Sequence, residues 1–112
     1  NPPILVNSHG AKMLDRGTTI LGMFDTLPSV KMGQLVINEE SVIVCYTDGL
    51  TDVVNEHNQV FPLEELTRLI QREYTHPVDA INKKIINEIM HFKGFHGVVS
   101  DDITVLTVKI MP

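Results

Sequence analysis

The chain has 112 residues, of which 43% are hydrophobic, which suits one small domain with a buried core. Its net charge is −5, its acids are scattered and its few basic residues do not cluster, which argues against a nucleic-acid partner. No apolar run approaches the roughly 18 residues that span a bilayer, and no charged start leads into an apolar stretch as a signal peptide would, so no membrane contact is expected. The only cysteine, Cys45, lies inside an apolar run. A lone thiol cannot staple a fold, and a small core residue in a reducing cytoplasm is the expectation. The opening Asn1-Pro2-Pro3 lacks an initiator methionine and reads as a cut in a loop of a longer protein.

In chain order, Ile4 to Val6 predicts a short strand, and Asn7-Ser8-His9-Gly10 has the composition of a turn. Ala11 to Arg16 is the expected hairpin partner. Gly17 to Pro28 reads as loop, and Val30 to Ile37 as a strand interrupted by Gly33. After the polar break Asn38-Glu39-Glu40-Ser41, Val42 to Thr47 is a continuous run of β-branched and aromatic residues. That pattern predicts a strand buried on both faces.

A first helix is expected after Pro62, placed in its first turn, with Leu63, Leu66, Leu69 and Ile70 on one face and Glu64, Arg68 and Arg72 as a solvated ladder on another. A second is opened by Pro77 after a cap at Thr75 or His76. Its apolar stripe is Val78, Ile81, Ile85, Ile86, Ile89 and Met90, and Gly94 stops it. Ile103 to Ile110 predicts the last strand. Strands, then two helices, then a strand give an α+β class: a mostly antiparallel sheet with a helix pair on one face.

Asp48-Gly49 follows the buried strand directly, and Asp101-Asp102 directly precedes the last one. If these strands are antiparallel neighbours, Asp48 and Asp101 meet at one rim of the sheet. Two carboxylates ~4 Å apart repel by about 4 kcal/mol at an effective dielectric of ~20. A hard divalent cation relieves that cost, which points to Mg²⁺ or Mn²⁺. The same residues also suit a plain turn, since Asp-Gly is a common turn dipeptide. Spacing alone leaves both readings open. A calcium loop through Asp48, Asp52 and Glu56 lacks the required alternation and central glycine. The histidines His9, His57, His76, His91 and His96 show no metal spacing and read as surface or cap residues; His96, near Gly94 and Gly97 in the loop before Asp101, is the one to watch.

The run Tyr46-Thr47-Asp48-Gly49-Leu50-Thr51-Asp52-Val53-Val54-Asn55, closing near Val60-Phe61, resembles the SpoIIE-type branch of the PPM metal-dependent phosphatases. Ser100-Asp101-Asp102-Ile103-Thr104-Val105-Leu106 resembles that family's closing motif. Leu21-Gly22-Met23 and Asn1-Pro2-Pro3-Ile4-Leu5 resemble further segments, all in the family's order. The resemblance implies that residues 1 to 112 are the C-terminal portion of an αββα phosphatase sandwich whose N-terminal half lies elsewhere. It implies Asp48 and Asp101 as metal ligands for Mn²⁺ or Mg²⁺ (two ions in the complete domain), and Gly49 keeping the backbone close beside them. Asp102, in the position after the ligand, would support the site from behind. No residue of this segment is expected to act as a catalytic group beyond holding metal.

The implied activity is hydrolysis of phosphoserine or phosphothreonine in a protein, by a water activated between two metals. The implied substrates are bacterial anti-anti-sigma phosphoproteins of the STAS type, in the cytoplasm. Asp52, Val53-Val54, Pro62 and Glu40-Ser41 depart from the family pattern without touching the ligands. Two carboxylates cannot satisfy two near-octahedral ions, so the segment alone should be inactive. Its second sheet face should be covered by the rest of the domain or by a second copy. The rival expectation is a non-catalytic, PPM-like module that binds or regulates partners.

Overall fold

The computed structural model describes residues 1–14 and 39–111. The expected loop at Gly17 to Pro28, the strand at Val30 to Ile37 and the Leu21-Gly22-Met23 segment lie outside them. Four strands, β1 (Ile4–Asn7), β2 (Gly10–Met13), β3 (Ser41–Tyr46) and β4 (Val105–Ile110), form one sheet in the order β2-β1-β3-β4. Every neighbouring pair is antiparallel. The β1–β2 hairpin turns through Ser8 and His9, where Asn7 Oδ1 accepts the His9 amide at 2.9 Å. Gly10 follows with φ +123°, a conformation that a side chain would resist.

The pleat sorts the strands into two unlike faces. Ile4 pairs with Val44 and Val6 with Val42, while Val42, Val44 and Tyr46 face Lys109, Thr107 and Val105 across β3 and β4. Ile4, Val6, Val42 and Val44 are fully buried there. The opposite face carries Leu5, Ile43, Cys45, Leu106 and Val108, with Leu106 59% and Val108 43% exposed. Ile43 and Cys45 are half-buried, so β3 is closed on one side only, short of the burial on both faces that its composition predicts.

Two helices close the inner face. Helix α2 (Leu63–Glu73) packs over β1 and β2, and α3 (Val78–Lys93) packs over β4 and against α2. (The short α1 belongs to the site described below.) Leu66, Leu69 and Ile70 of α2 meet Ile81, Ile85 and Ile89 of α3 in the core, and Phe61 meets Phe92 edge to face with centroids 5.3 Å apart. This is the α+β arrangement expected, with the helix pair on one side of an antiparallel sheet. No helix among the described residues is long and apolar enough to cross a membrane.

Both helix starts sit one step from their expected places. Pro62 and Pro77 flank the helices as caps, and their carbonyls accept Glu65 N at 3.1 Å and Ala80 N at 3.0 Å. Proline suits that position because it supplies an acceptor and needs no partner for a missing donor. Gly94 ends α3 as expected, at φ +68° with its amide on Met90 O. The apolar stripe of α3 is narrower than predicted: Ile81, Ile85 and Ile89 are buried, whereas Ile86 is 38% and Met90 43% exposed. The i, i+4, i+8 line meets the sheet and α2, and the flanking positions roll away from it. The charged ladder on α2 also differs, because Arg68 pairs with Glu65 at 2.6 Å and Arg72 turns to Glu73.

Polar ties fix the corner between the helices and the sheet. Lys109 reaches across the inner face to Glu40 at 3.2 Å and donates to the His76 carbonyl at 2.5 Å, while Thr107 donates to Asn82 on α3. Glu73, at the end of α2, is 6% exposed. Burial alone would push its carboxyl up. The hydrogen bond from Arg72, the charge and contact of His76 and the charge of Lys84 outweigh burial and hold it below the ordinary glutamate value. A carboxyl lowered on folding stabilises the fold above its unfolded pKa, and that contribution fades as pH falls through the folded value. Urea midpoints should therefore drop as pH goes below the ordinary glutamate value of 4.5. Glu73→Gln should flatten that part of the profile; an identical profile in the variant would refute the assignment.

A candidate metal-binding rim

The site lies where three segments meet at the C-terminal end of β3. Thr47 continues the strand pairing one step past Tyr46, its amide donating to Thr104 O at 3.1 Å. Its hydroxyl accepts the Thr104 amide at 3.1 Å and donates to the Asp102 carbonyl at 3.3 Å. One threonine thereby sews the exit of β3 to the entry of β4.

The chain then turns into a single helical turn, α1 (Asp48–Thr51), which sequence patterning did not reveal. Leu50 and Val53 are fully buried and anchor this turn in the core. Asp48 stays exposed in its first turn, its backbone carbonyl accepting Asp52 N at 2.8 Å and the Thr51 hydroxyl at 3.3 Å. Gly49 is buried against the opposite segment. A Cβ there would overlap the Asp102 carbonyl oxygen, lying 2.7 Å from Asp102 C and 3.1 Å from Asp101 O. Only glycine allows the two backbones to approach so closely.

A second clasp holds the far side. Val54 forms bridges to both Val60 and Val98, with Val54 N to Val98 O at 3.0 Å and the return bond at 2.8 Å. Gly97 sits where a Cβ would come within 2.5 Å of Val54 O, so this glycine also answers a close approach. Asn55 organises the intervening turn by accepting the amides of His57 at 3.0 Å and Gln59 at 2.9 Å through Oδ1. These contacts carry residues 98 to 101 along the α1 segment. The paired Gly94 and Gly97 around an exposed Phe95 were the visible hint of this clasp, but not of its partner, Val54.

Asp101 and Asp102 are exposed at the start of that return, and Asp101 Oδ1 accepts the Asp102 amide at 2.7 Å. The fold thus brings the Asp48-Gly49 and Asp101-Asp102 segments into backbone contact at one rim. The oxygen-only donor set suits a hard divalent cation. Among the described residues, no three His, Cys, Asp or Glu side chains gather around a common point. His96 does not join them; its ring lies edge-on to Phe95, with centroids 6.1 Å apart. A further polar group does reach the rim: Asn1 Nδ2 donates to Asp48 Oδ1.

The family model described as stage II sporulation protein E (SpoIIE) matches residues 1–111. The chain belongs to the SpoIIE family. Neither a curated protein nor a solved structure matches it. Membership supports a PPM-type phosphatase domain in general, and such domains use Mn²⁺ or Mg²⁺. The SpoIIE match runs through both aspartate segments, the Thr47 stitch and Gly49.

Proposed function

We propose that this chain is the C-terminal part of a metal-dependent phosphoserine/phosphothreonine protein phosphatase domain, with Asp48 and Asp101 as metal ligands. The observation that supports it most is the glycine cradle at Gly49, which sets the two aspartate segments back to back at one rim of a SpoIIE-family chain. Bound there, Mn²⁺ or Mg²⁺ would lower the pKa of a coordinated water and neutralise charge on a phosphoryl group. The chain's own contribution is to hold acceptor oxygens on rigid strand ends, with Asp102 supporting the return loop through its backbone bond to Thr47. The remaining ligands come from the rest of the phosphatase domain, which also covers the Leu5, Ile43, Cys45, Leu106 and Val108 face. The substrates proposed are serine- or threonine-phosphorylated STAS-type anti-anti-sigma proteins in the cytoplasm.

The test uses the full-length protein with p-nitrophenyl phosphate and with a phosphorylated STAS protein. Hydrolysis of both should require added Mn²⁺ or Mg²⁺ and stop in excess EDTA. Undiminished turnover in EDTA would overturn the metal mechanism. Metal binding without turnover of either substrate would favour a non-catalytic partner-binding module.

A further inference from the structure

The register of β1 against β3 carries a consequence for Asp48. Ile4 pairs with Val44, and the strands are antiparallel, so stepping back three residues from Ile4 brings Asn1 level with Thr47. The strand pairing itself ends at Ile4, and Asn1 meets Asp48 through its side chain. Its carboxamide completes the approach: Nδ2 lies 2.5 Å from Asp48 Oδ1. Pro2 and Pro3 stiffen the two intervening residues, because each ring fixes φ. Asp48 is thus flanked on one side by the β4 entry, across Gly49, and on the other by Asn1.

We infer that Asn1 is a positioning residue for the metal site: by donating to Oδ1 it fixes the Asp48 carboxylate plane and leaves Oδ2 to face a divalent cation. The inference rests on the metal-site reading above. The other bonds at Asp48 engage its backbone carbonyl and leave the carboxylate untouched, so Asn1 is its one side-chain partner among the described residues. A carboxylate free to rotate loses orientation entropy each time it binds an ion. A donor on one oxygen removes that cost beforehand, and loss of such outer partners typically weakens metal binding about 10- to 100-fold. Asn1 is exposed and packs no core, so its removal should leave the fold intact.

The experiment is calorimetric titration of full-length protein with Mn²⁺, comparing wild type, Asn1→Ala, the near-isosteric Asn1→Leu and Asp48→Asn. Both Asn1 variants should bind Mn²⁺ about 10- to 100-fold more weakly. Their metal-free melting should be unchanged, and kcat should recover at saturating Mn²⁺ while the activation constant stays raised. Wild-type Mn²⁺ affinity in both Asn1 variants, with affinity lost in Asp48→Asn, overturns the positioning role alone. Wild-type affinity in Asp48→Asn overturns the metal-site reading and this inference with it.

Discussion

Asp48→Asn in the full-length protein should reduce metal-dependent phosphatase turnover by roughly a thousandfold or more, with little change in stability. A metal ion contributes several kcal/mol of charge stabilisation, and about 1.4 kcal/mol corresponds to a factor of ten in rate. Asparagine keeps the shape of the side chain and an oxygen for Asn1 but removes the charge that retains a cation. The fold has little stake in that charge. The side chain is exposed, and the bonds that shape α1, from Asp52 N and the Thr51 hydroxyl, go to the Asp48 backbone carbonyl. An acid in the first turn of a helix contributes about 0.3–1 kcal/mol through the dipole, and for a single turn the lower end applies. Wild-type turnover by the variant under saturating Mn²⁺ would refute Asp48 as a ligand.

Gly49→Ala should damage both the site and the fold, and so separates their contributions. Alanine is favoured over glycine inside a helix by about 1 kcal/mol, which pulls toward stabilisation. Against it stands the collision of the new Cβ with the Asp102 carbonyl group, whose carbon lies 2.7 Å away. That neighbour is backbone, held by the Thr47 hydroxyl at 3.3 Å and locked to the strand pair through Thr104. It cannot swing aside as a flexible side chain would. Overpacking of this kind costs about 1–3 kcal/mol, so the clash exceeds the propensity gain. The relief must come from parting the Asp48 and Asp101 segments, so Mn²⁺ affinity should fall together with the urea midpoint. A variant as stable as wild type, with unaltered Mn²⁺ binding, would show that the close approach is unnecessary.

Much of this molecule is legible in local chemistry. The β-branched run at Val42 to Tyr46 specifies a strand regardless of its neighbours, because those side chains suit a pleated surface. The Leu and Ile spacing of α2 and α3, and the stop at Gly94, likewise follow from 3.6-residue periodicity and from the freedom of glycine at positive φ. The Asp-Gly and Asp-Asp motifs mark the candidate site for the same reason: they sit at strand ends, where rigid backbone gives way to exposed turns.

Pairing in space decided the rest. Nothing in the α3 sequence separates Ile85 from Ile86; the line along which the helix meets β4 and α2 buries one and exposes the other. Ile43 and Val44 are equally apolar, yet the pleat sends Val44 under the helices and Ile43 to the opposite face. The single turn of α1 is too short to show a period, and it exists because Leu50 and Val53 find a core already formed. Asn1 lies in a segment that resembles the family's, but nothing in its local sequence ties it to Asp48. Its place beside Asp48, 47 positions away, follows from the antiparallel pairing of β1 with β3 that starts at Ile4, and exists only once the sheet forms. Composition and periodicity act over a few residues and so determined the elements. The rim, built from three distant segments, was determined by hydrogen-bond register and by the close approach that Gly49 permits.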